Sequence, residues 1–132
     1  MEPQRSVLIV DDDDTLRATL KKIFAKAGFE AQTARNAQDA IHLVSERAWD
    51  LVLADVRMPR KDGLSLLDEI RGLRPETKVI IMTAYGTEDT QRDALRRGAC
   101  AYLDKPVSRA ELLALCHKTL ESDDARSNGM LT

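Results

Sequence analysis

The chain has 132 residues, of which 43% are hydrophobic, 32% charged and 4% aromatic. That suits one compact domain with a real core, which excludes a chain disordered over most of its length and leaves little room for a second domain. Lys and Arg total 20 against 22 Asp and Glu, a formal net charge of −2 that gives no electrostatic case for binding nucleic acid or a membrane surface. The apolar runs are strand-sized, far short of a membrane span. The opening MEPQRS has no apolar signal stretch, so a cytoplasmic location is expected. Two cysteines, Cys100 and Cys116, form neither a metal spacing nor a disulfide framework.

Val7-Leu8-Ile9-Val10 is short, rich in β-branched residues and unbroken by polar alternation, which predicts a parallel strand buried on both faces. Leu16, Leu20, Ile23, Phe24 and Ala27 then recur at helical spacing, and Gly28 supplies the stop. Glu30 to Ala34 is a weaker, mixed stretch of the kind found at a sheet edge. Asn36 is placed to cap a helix carrying Ala37, Ala40, Ile41 and Val44 on one face. Leu51-Val52-Leu53-Ala54 is a second buried strand, and Leu64, Leu67 and Ile70 mark the next helix, which ends before Pro75. Val79-Ile80-Ile81-Met82 repeats the buried-strand pattern. The helix from about Glu88 to Arg97 is polar; Ala94 and Leu95 are its core candidates and Gly98 ends it. Ala101 to Leu103 is a brief edge strand, with Cys100 before it read as a small core residue. Ser108, with Glu111 three residues on, forms a capping box for a last helix whose Leu112, Leu115, Cys116 and Leu120 face the core. Residues 1–121 are therefore expected to fold as the domain, and the polar 122–132 to be a flexible tail or the start of a linker.

Five β-α units in alternation predict an α/β domain with a parallel sheet between helix layers. Three apolar strands in the middle and two weak ones at the edges fit the order 2-1-3-4-5, the flavodoxin-like (βα)5 arrangement. In such a sheet the site lies beyond the carboxyl ends of the strands, where strand order reverses. The first strand runs into Asp11-Asp12-Asp13-Asp14, the third into Asp55, the fourth ends at Thr83, and the fifth leads through Asp104 to Lys105-Pro106. Polar residues at strand ends are ordinary one by one; the whole set on a single rim is not. Crowded carboxylates repel unless a cation neutralises them, and a few carboxylates with room for water and a phosphate suit Mg²⁺. A carboxylate beside Mg²⁺ can act as nucleophile towards phosphorus and form an aspartyl phosphate, with a lysine and a hydroxyl sharing the charge.

With those residues in view, the chain resembles the receiver domain of two-component response regulators over roughly Val7 to Leu120. The acidic pair after VLIV (Asp11, Asp12), Asp55 in LADVRMPRKDG, Thr83 in IIMTAYG and Lys105 in AYLDKP carry the likeness. The MTAYG and LDKP segments look closest to receivers of the nitrogen-regulatory type and of sporulation phosphorelays. The resemblance implies that Asp55 accepts a phosphoryl group from a sensor histidine kinase or a histidine phosphotransfer protein. It further implies Mg²⁺ held by Asp11, Asp12, Asp55 and the backbone carbonyl of Arg57. Thr83 would donate to a phosphate oxygen, Lys105 would pair with its charge, and Tyr102 would change rotamer as Thr83 moves. Lys105-Pro106 matches a peptide bond the family holds in cis. Val107 departs from the Phe of many relatives. The implied product is a signalling switch, not an enzyme with an outside substrate, with output through the fourth helix, fifth strand and fifth helix. Output would pass to a downstream effector protein or an output domain outside this chain, and a phosphorylation-dependent dimer fits the same scheme.

Several residues have ordinary structural readings. Asp13 and Asp14 are expected to cap the first helix, whose dipole favours anions. His42 and His117 are read as surface or packing residues, Met58-Pro59 as a loop anchor, and Trp49 as a cover over a helix end. Asp11-x-Asp13-x-Thr15 also fits the first motif of haloacid-dehalogenase phosphatases. That reading leaves Asp55 without a role, and its later acidic pair could only be Asp123-Asp124, with no strand before it. A calcium loop in DDDDT lacks the Gly at the sharp turn and the closing Glu.

Overall fold

The computed structural model describes residues 4–58, 62–84 and 86–130, with side chains described as far as residue 121. Its elements alternate throughout: β1 (Ser6–Val10), α1 (Asp14–Lys26), β2 (Glu30–Ala34), α2 (Ala37–Glu46), β3 (Leu51–Asp55), α3 (Gly63–Leu73), β4 (Lys78–Thr83), α4 (Glu88–Arg96), β5 (Ala101–Asp104) and α5 (Arg109–Met130). The five strands form one sheet in the order β2-β1-β3-β4-β5, every pair parallel. This is the order expected from two weak edges around three apolar strands.

Because successive strand residues point to opposite faces, each central strand feeds two cores. Leu8, Val10, Val52, Ala54, Val79 and Ile81 join Ala37, Ala40 and Val44 of α2, Leu66, Leu67 and Ile70 of α3, and Ala94 of α4. Val7, Ile9, Leu51, Leu53, Ile80 and Met82 meet Leu20 and Phe24 of α1 and Leu112, Cys116 and Leu120 of α5 on the other side. Each fully buried Leu or Ile contributes roughly 1.5–3 kcal/mol, so the central strands form a rigid floor for whatever their ends carry.

Helix boundaries follow the capping residues. Asp13 accepts from the Leu16 amide, Asn36 from Asp39, Asp62 from Ser65 and Thr87 from Thr90, and Glu111 donates its amide to Ser108 Oγ at 3.0 Å. Gly28 and Gly98 end α1 and α4 at φ of +95° and +105°, where only glycine avoids a Cβ clash. Trp49 is buried and donates from Nε1 to the Leu43 carbonyl at 3.1 Å, covering the end of α2 as expected.

Two details differ from the sequence reading. Leu95 is 44% exposed: neighbouring helix residues point about 100° apart, and the short α4 turns Ala94 inward instead. Cys100 is exposed in the turn before β5, while Cys116 is buried. The backbone of α5 is helical from Arg109 to Met130; no Pro interrupts 122–130, and an established helix propagates readily.

Candidate functional site

β1 and β3 lie side by side with Val10 opposite Ala54. Asp11 and Asp55, the residues that follow, therefore emerge together at the carboxyl edge where the strand order reverses. Both are buried, at 1% and 6% exposure, whereas Asp12 is exposed. One carboxylate oxygen from each of the three lies within 4.8 Å of the other two.

Lys105 reaches this group from the far side of the sheet. It follows β5, its amide donates to the Thr83 carbonyl at 2.9 Å, and its bond to Pro106 is cis, as the resemblance implied. Lys105 Nζ donates to Asp11 Oδ2 at 2.7 Å and to Asp55 Oδ2 at 3.0 Å. Burial works to lower the Lys105 pKa, but the hydrogen bonds to Asp11 and Asp55 outweigh it and the net shift is upward. Three carboxylates against one ammonium leave the pocket negative, with oxygen donors only, which suits a hard divalent cation.

The remaining oxygens of the buried pair are oriented by backbone. Asp13 donates its amide to Asp11 Oδ1 at 2.9 Å, and Arg57 donates its amide to Asp55 Oδ1 at 3.1 Å. Asp13 spends its own carboxylate capping α1 and stands outside the acidic group. That is the expected role for Asp13 and leaves the phosphatase-type Asp-x-Asp pair unassembled. An open cleft of about 480 Å³, lined by Asp12, Val56, Arg57, Met58 and Asp62, borders the acidic group at Asp12.

Thr83 ends β4 one position beyond Met82, the residue paired with Asp55. It is 1% exposed. Tyr102 pairs with Ile81 on β5 and packs against the α2–α3–α4 core. Its hydroxyl is buried beside Gly86 and Thr83 and has no hydrogen-bond partner among the described residues. Burial, with the nearby Asp104 charge, raises its pKa. The structure thus brings Asp11, Asp12, Asp55 and Lys105 into contact range and sets Thr83 and Tyr102 on the two strands beside them. Pro59 and Tyr85 lie outside the described residues.

Sequence reasoning missed three contributors. A Cβ on Gly63 would sit 2.2 Å from the Asp55 carbonyl oxygen, and the Gly63 amide donates to Val56 at 2.8 Å; α3 starts directly on the Asp55 backbone. The signal was a Gly directly after the capping Asp62. Gly86 leaves room for Tyr102, which nothing in the sequence pattern announces. Arg17 donates from Nη1 to the Asp11 carbonyl at 2.7 Å and pairs with Asp14, and sequence offers only an Arg one turn into α1.

A doubly wound sheet with carboxylates, a lysine and a threonine gathered at its switch point defines the class of α/β phosphoryl-accepting signalling domains. Within that class the chain belongs to the response regulator receiver domain family, whose sequence profile matches residues 7–117. It is a receiver domain of two-component response regulators. It is 43% identical to the regulatory protein AtoC of Escherichia coli K12 over 115 residues, 87% of this chain and 25% of that protein. A receiver domain protein from Methanospirillum hungatei superposes with a TM-score of 0.91 at 30% identity, covering 94% of this chain and 99% of that one. The beryllofluoride-activated NtrC4 receiver domain dimer gives 0.85 at 31% identity, covering 89% and 97%. The chain spans about a quarter of the length of the curated relatives it matches, among them AtoC at 25% and the nitrogen regulator NtrC of Azospirillum brasilense at 24%. Among the described residues no helix is long and apolar enough to cross a membrane.

Proposed function

We propose that Asp55 is the phosphoryl acceptor and that Asp11, Asp12 and the Arg57 carbonyl join it in holding Mg²⁺. The observation that carries this reading is the Lys105 ammonium bonded at once to Asp11 and Asp55. It marks the point where negative charge is already compensated and where more is to arrive. The cation, when bound, neutralises charge on the surrounding carboxylates and on the transferring phosphoryl oxygens. An Asp55 carboxylate oxygen forms the new O–P bond while the donor's N–P bond breaks, and the departing imidazole takes a proton from solvent. Lys105 then exchanges its Asp55 partner for a phosphate oxygen, and Thr83 donates its hydroxyl to another. Charge-assisted contacts of this kind are about twice as strong as neutral ones.

The phosphodonor is a sensor histidine kinase or a histidine phosphotransfer protein in the cytoplasm. The chain acts as a switch with no outside substrate to turn over. Residues 1–121 form the receiver unit, and 122–132 lead towards a downstream effector or an output domain. Movement of Thr83 and Tyr102 transmits the phosphate to the surface of α4, β5 and α5, where a phosphorylation-dependent dimer can form; the NtrC4 likeness supports this. Incubation with acetyl phosphate and Mg²⁺ should add one phosphate per chain, and Asp55→Asn should abolish it. Full labelling of the Asn variant, or steady Asp11-dependent turnover of a phosphomonoester, would overturn the assignment.

A further inference from the structure

We propose that Arg17 is a positioning residue for the cation, holding the backbone of Asp11 and Asp12 so that their carboxylates converge. The inference rests on the cation reading of the acidic group given above. The backbone between β1 and α1 explains the need. The β1–β3 ladder ends at Val10 and Ala54, and the first carbonyl used inside α1 is that of Asp13, which accepts from the Arg17 amide at 3.0 Å. The Asp11 carbonyl belongs to neither system. Its amide is tied to Ala34 at 3.1 Å on the β2 side, and Arg17 Nη1 takes up its oxygen at 2.7 Å on the other.

Arg17 is built for that job and is not a loose surface charge. Its side chain is only 15% exposed, while its partner Asp14 is 89% exposed. The planar fork lets one nitrogen bond the Asp11 carbonyl and another the Asp14 carboxylate, a division that a lysine ammonium cannot reproduce with the same geometry. Asp11 is thus held at its amide, its carbonyl and both carboxylate oxygens, by Ala34, Arg17, Asp13 and Lys105. Asp12, exposed and next in the chain, inherits its direction from that anchored backbone.

The proposal has a sign that separates it from simple electrostatics. Arg17 is a cation joined to a residue of the metal site. If it acted only through its charge, its removal would tighten Mg²⁺ binding. If it positions the carboxylates, its removal must weaken binding, by roughly 10-fold or more on the pattern of groups that orient metal ligands. The experiment is calorimetric titration of the 132-residue chain with Mg²⁺ alone, for wild type, Arg17→Ala and Arg17→Lys, with thermal unfolding alongside. Weaker binding in Ala, intermediate binding in Lys and faster amide exchange at Asp13 are expected. Wild-type binding with equal or tighter binding in Ala overturns the role of Arg17 and leaves the cation site standing. Wild type that binds no Mg²⁺ overturns the site and, with it, this inference. If the Ala variant does not fold, Lys decides: affinity equal to wild type refutes the positioning role, because the charge is unchanged and only the fork is lost.

Discussion

Gly86→Ala should turn Tyr102 out of its buried position while leaving the fold intact. A Cβ built at Gly86 lies 1.4 Å from the Tyr102 hydroxyl oxygen, 2.7 Å from Cζ and 2.9 Å from Thr83 Cγ2. Ordinary contact begins at 3.4 Å, so the hydroxyl must retreat by about 2 Å, more than a packed ring can give without leaving its rotamer. The tip of a flexible side chain is the part that yields; the strand beneath it is buried and does not. Expulsion forfeits part of the ring's burial, roughly 1–2 kcal/mol. It also frees a buried hydroxyl without a partner among the described residues, a burden of about 1–3 kcal/mol. Gly86 is not at positive φ, so Ala also gains about 0.4–1 kcal/mol through the unfolded chain. On these figures the gains match or slightly exceed the loss, and stability should hold or rise by about 1 kcal/mol while Tyr102 changes place. The assay is ultraviolet titration of the phenol in a Tyr85→Phe background. Burial raises the Tyr102 pKa, so in the Ala variant it should fall back towards the ordinary value of about 10. An unchanged titration with an intact fold would refute the steric argument. Because the phosphorylation chemistry does not involve Gly86, labelling by acetyl phosphate should persist while the response at α4 is lost.

Lys105→Met should leave Asp11 and Asp55 as unpaired neighbouring carboxylates, abolish phosphoryl transfer, and destabilise the chain without Mg²⁺ more than with it; equal unfolding curves in chelator would contradict this. The net-raised Lys105 pKa means the lysine's contribution is fully present below its unfolded value near 10.5 and is lost as pH rises through the higher folded value. Wild-type stability should therefore drop in that alkaline window, and the Met variant should lack this component. Cys100 is exposed and should react promptly with a thiol reagent, whereas Cys116, buried with its pKa pushed up to about 12, should react only on unfolding; two fast thiols would contradict the packing of α5. Replacing Arg57 and Tyr85, each two residues past a site residue, with small residues should change the lifetime of the acyl phosphate far more than stability, by altering access of the in-line water. Equal lifetimes would show that the two side chains have no part in hydrolysis.

The fold was legible because each central strand is apolar on both faces, a pattern that only a sheet between two helix layers requires. Asp11, Asp55 and Lys105 could be grouped from sequence because a strand's end is a fixed place: in a parallel sheet all carboxyl ends share one rim. What escaped was everything that depends on direction inside that rim. An Arg one turn into α1 has the same pattern whether it points to solvent or folds back on Asp11. Gly63 and Gly86 drew no assignment from the sequence, since only coordinates reveal the backbone or ring that leaves no space for a Cβ. Leu95 was misplaced for a related reason: in a nine-residue polar helix, one Ala suffices to fix the buried side, and the adjacent Leu is rotated out.

The same weak anchoring suits α4 to the part proposed for it in the switch. Ala94 is its one buried residue among nine, so little apolar area opposes its movement. Its two ends are held differently. At the carboxyl end, Arg97 Nη1 reaches Asp68 of α3 at 2.9 Å and Nε bonds Asp93 at 3.2 Å, and the Ala99 amide closes on the Ala94 carbonyl at 3.0 Å. A Cβ on Gly98 would approach Arg71 Nε of α3 at 3.0 Å, so the two helices are also in close contact there. Exposed ion pairs contribute little energy, but together these contacts define where the helix is pinned. The amino end begins at Thr87, whose tie is its own cap to Thr90, directly after the Gly86 that abuts Tyr102. A shift at Thr83 and Tyr102 would therefore act at the end of α4 with fewer ties among the described residues, and the helix should swing about its Arg97 end instead of sliding bodily. Phosphate can bias that motion only by the difference in its contacts with the two arrangements. In the proposed switch the donors able to supply that difference are Thr83, at the end of β4, and Lys105, directly after β5.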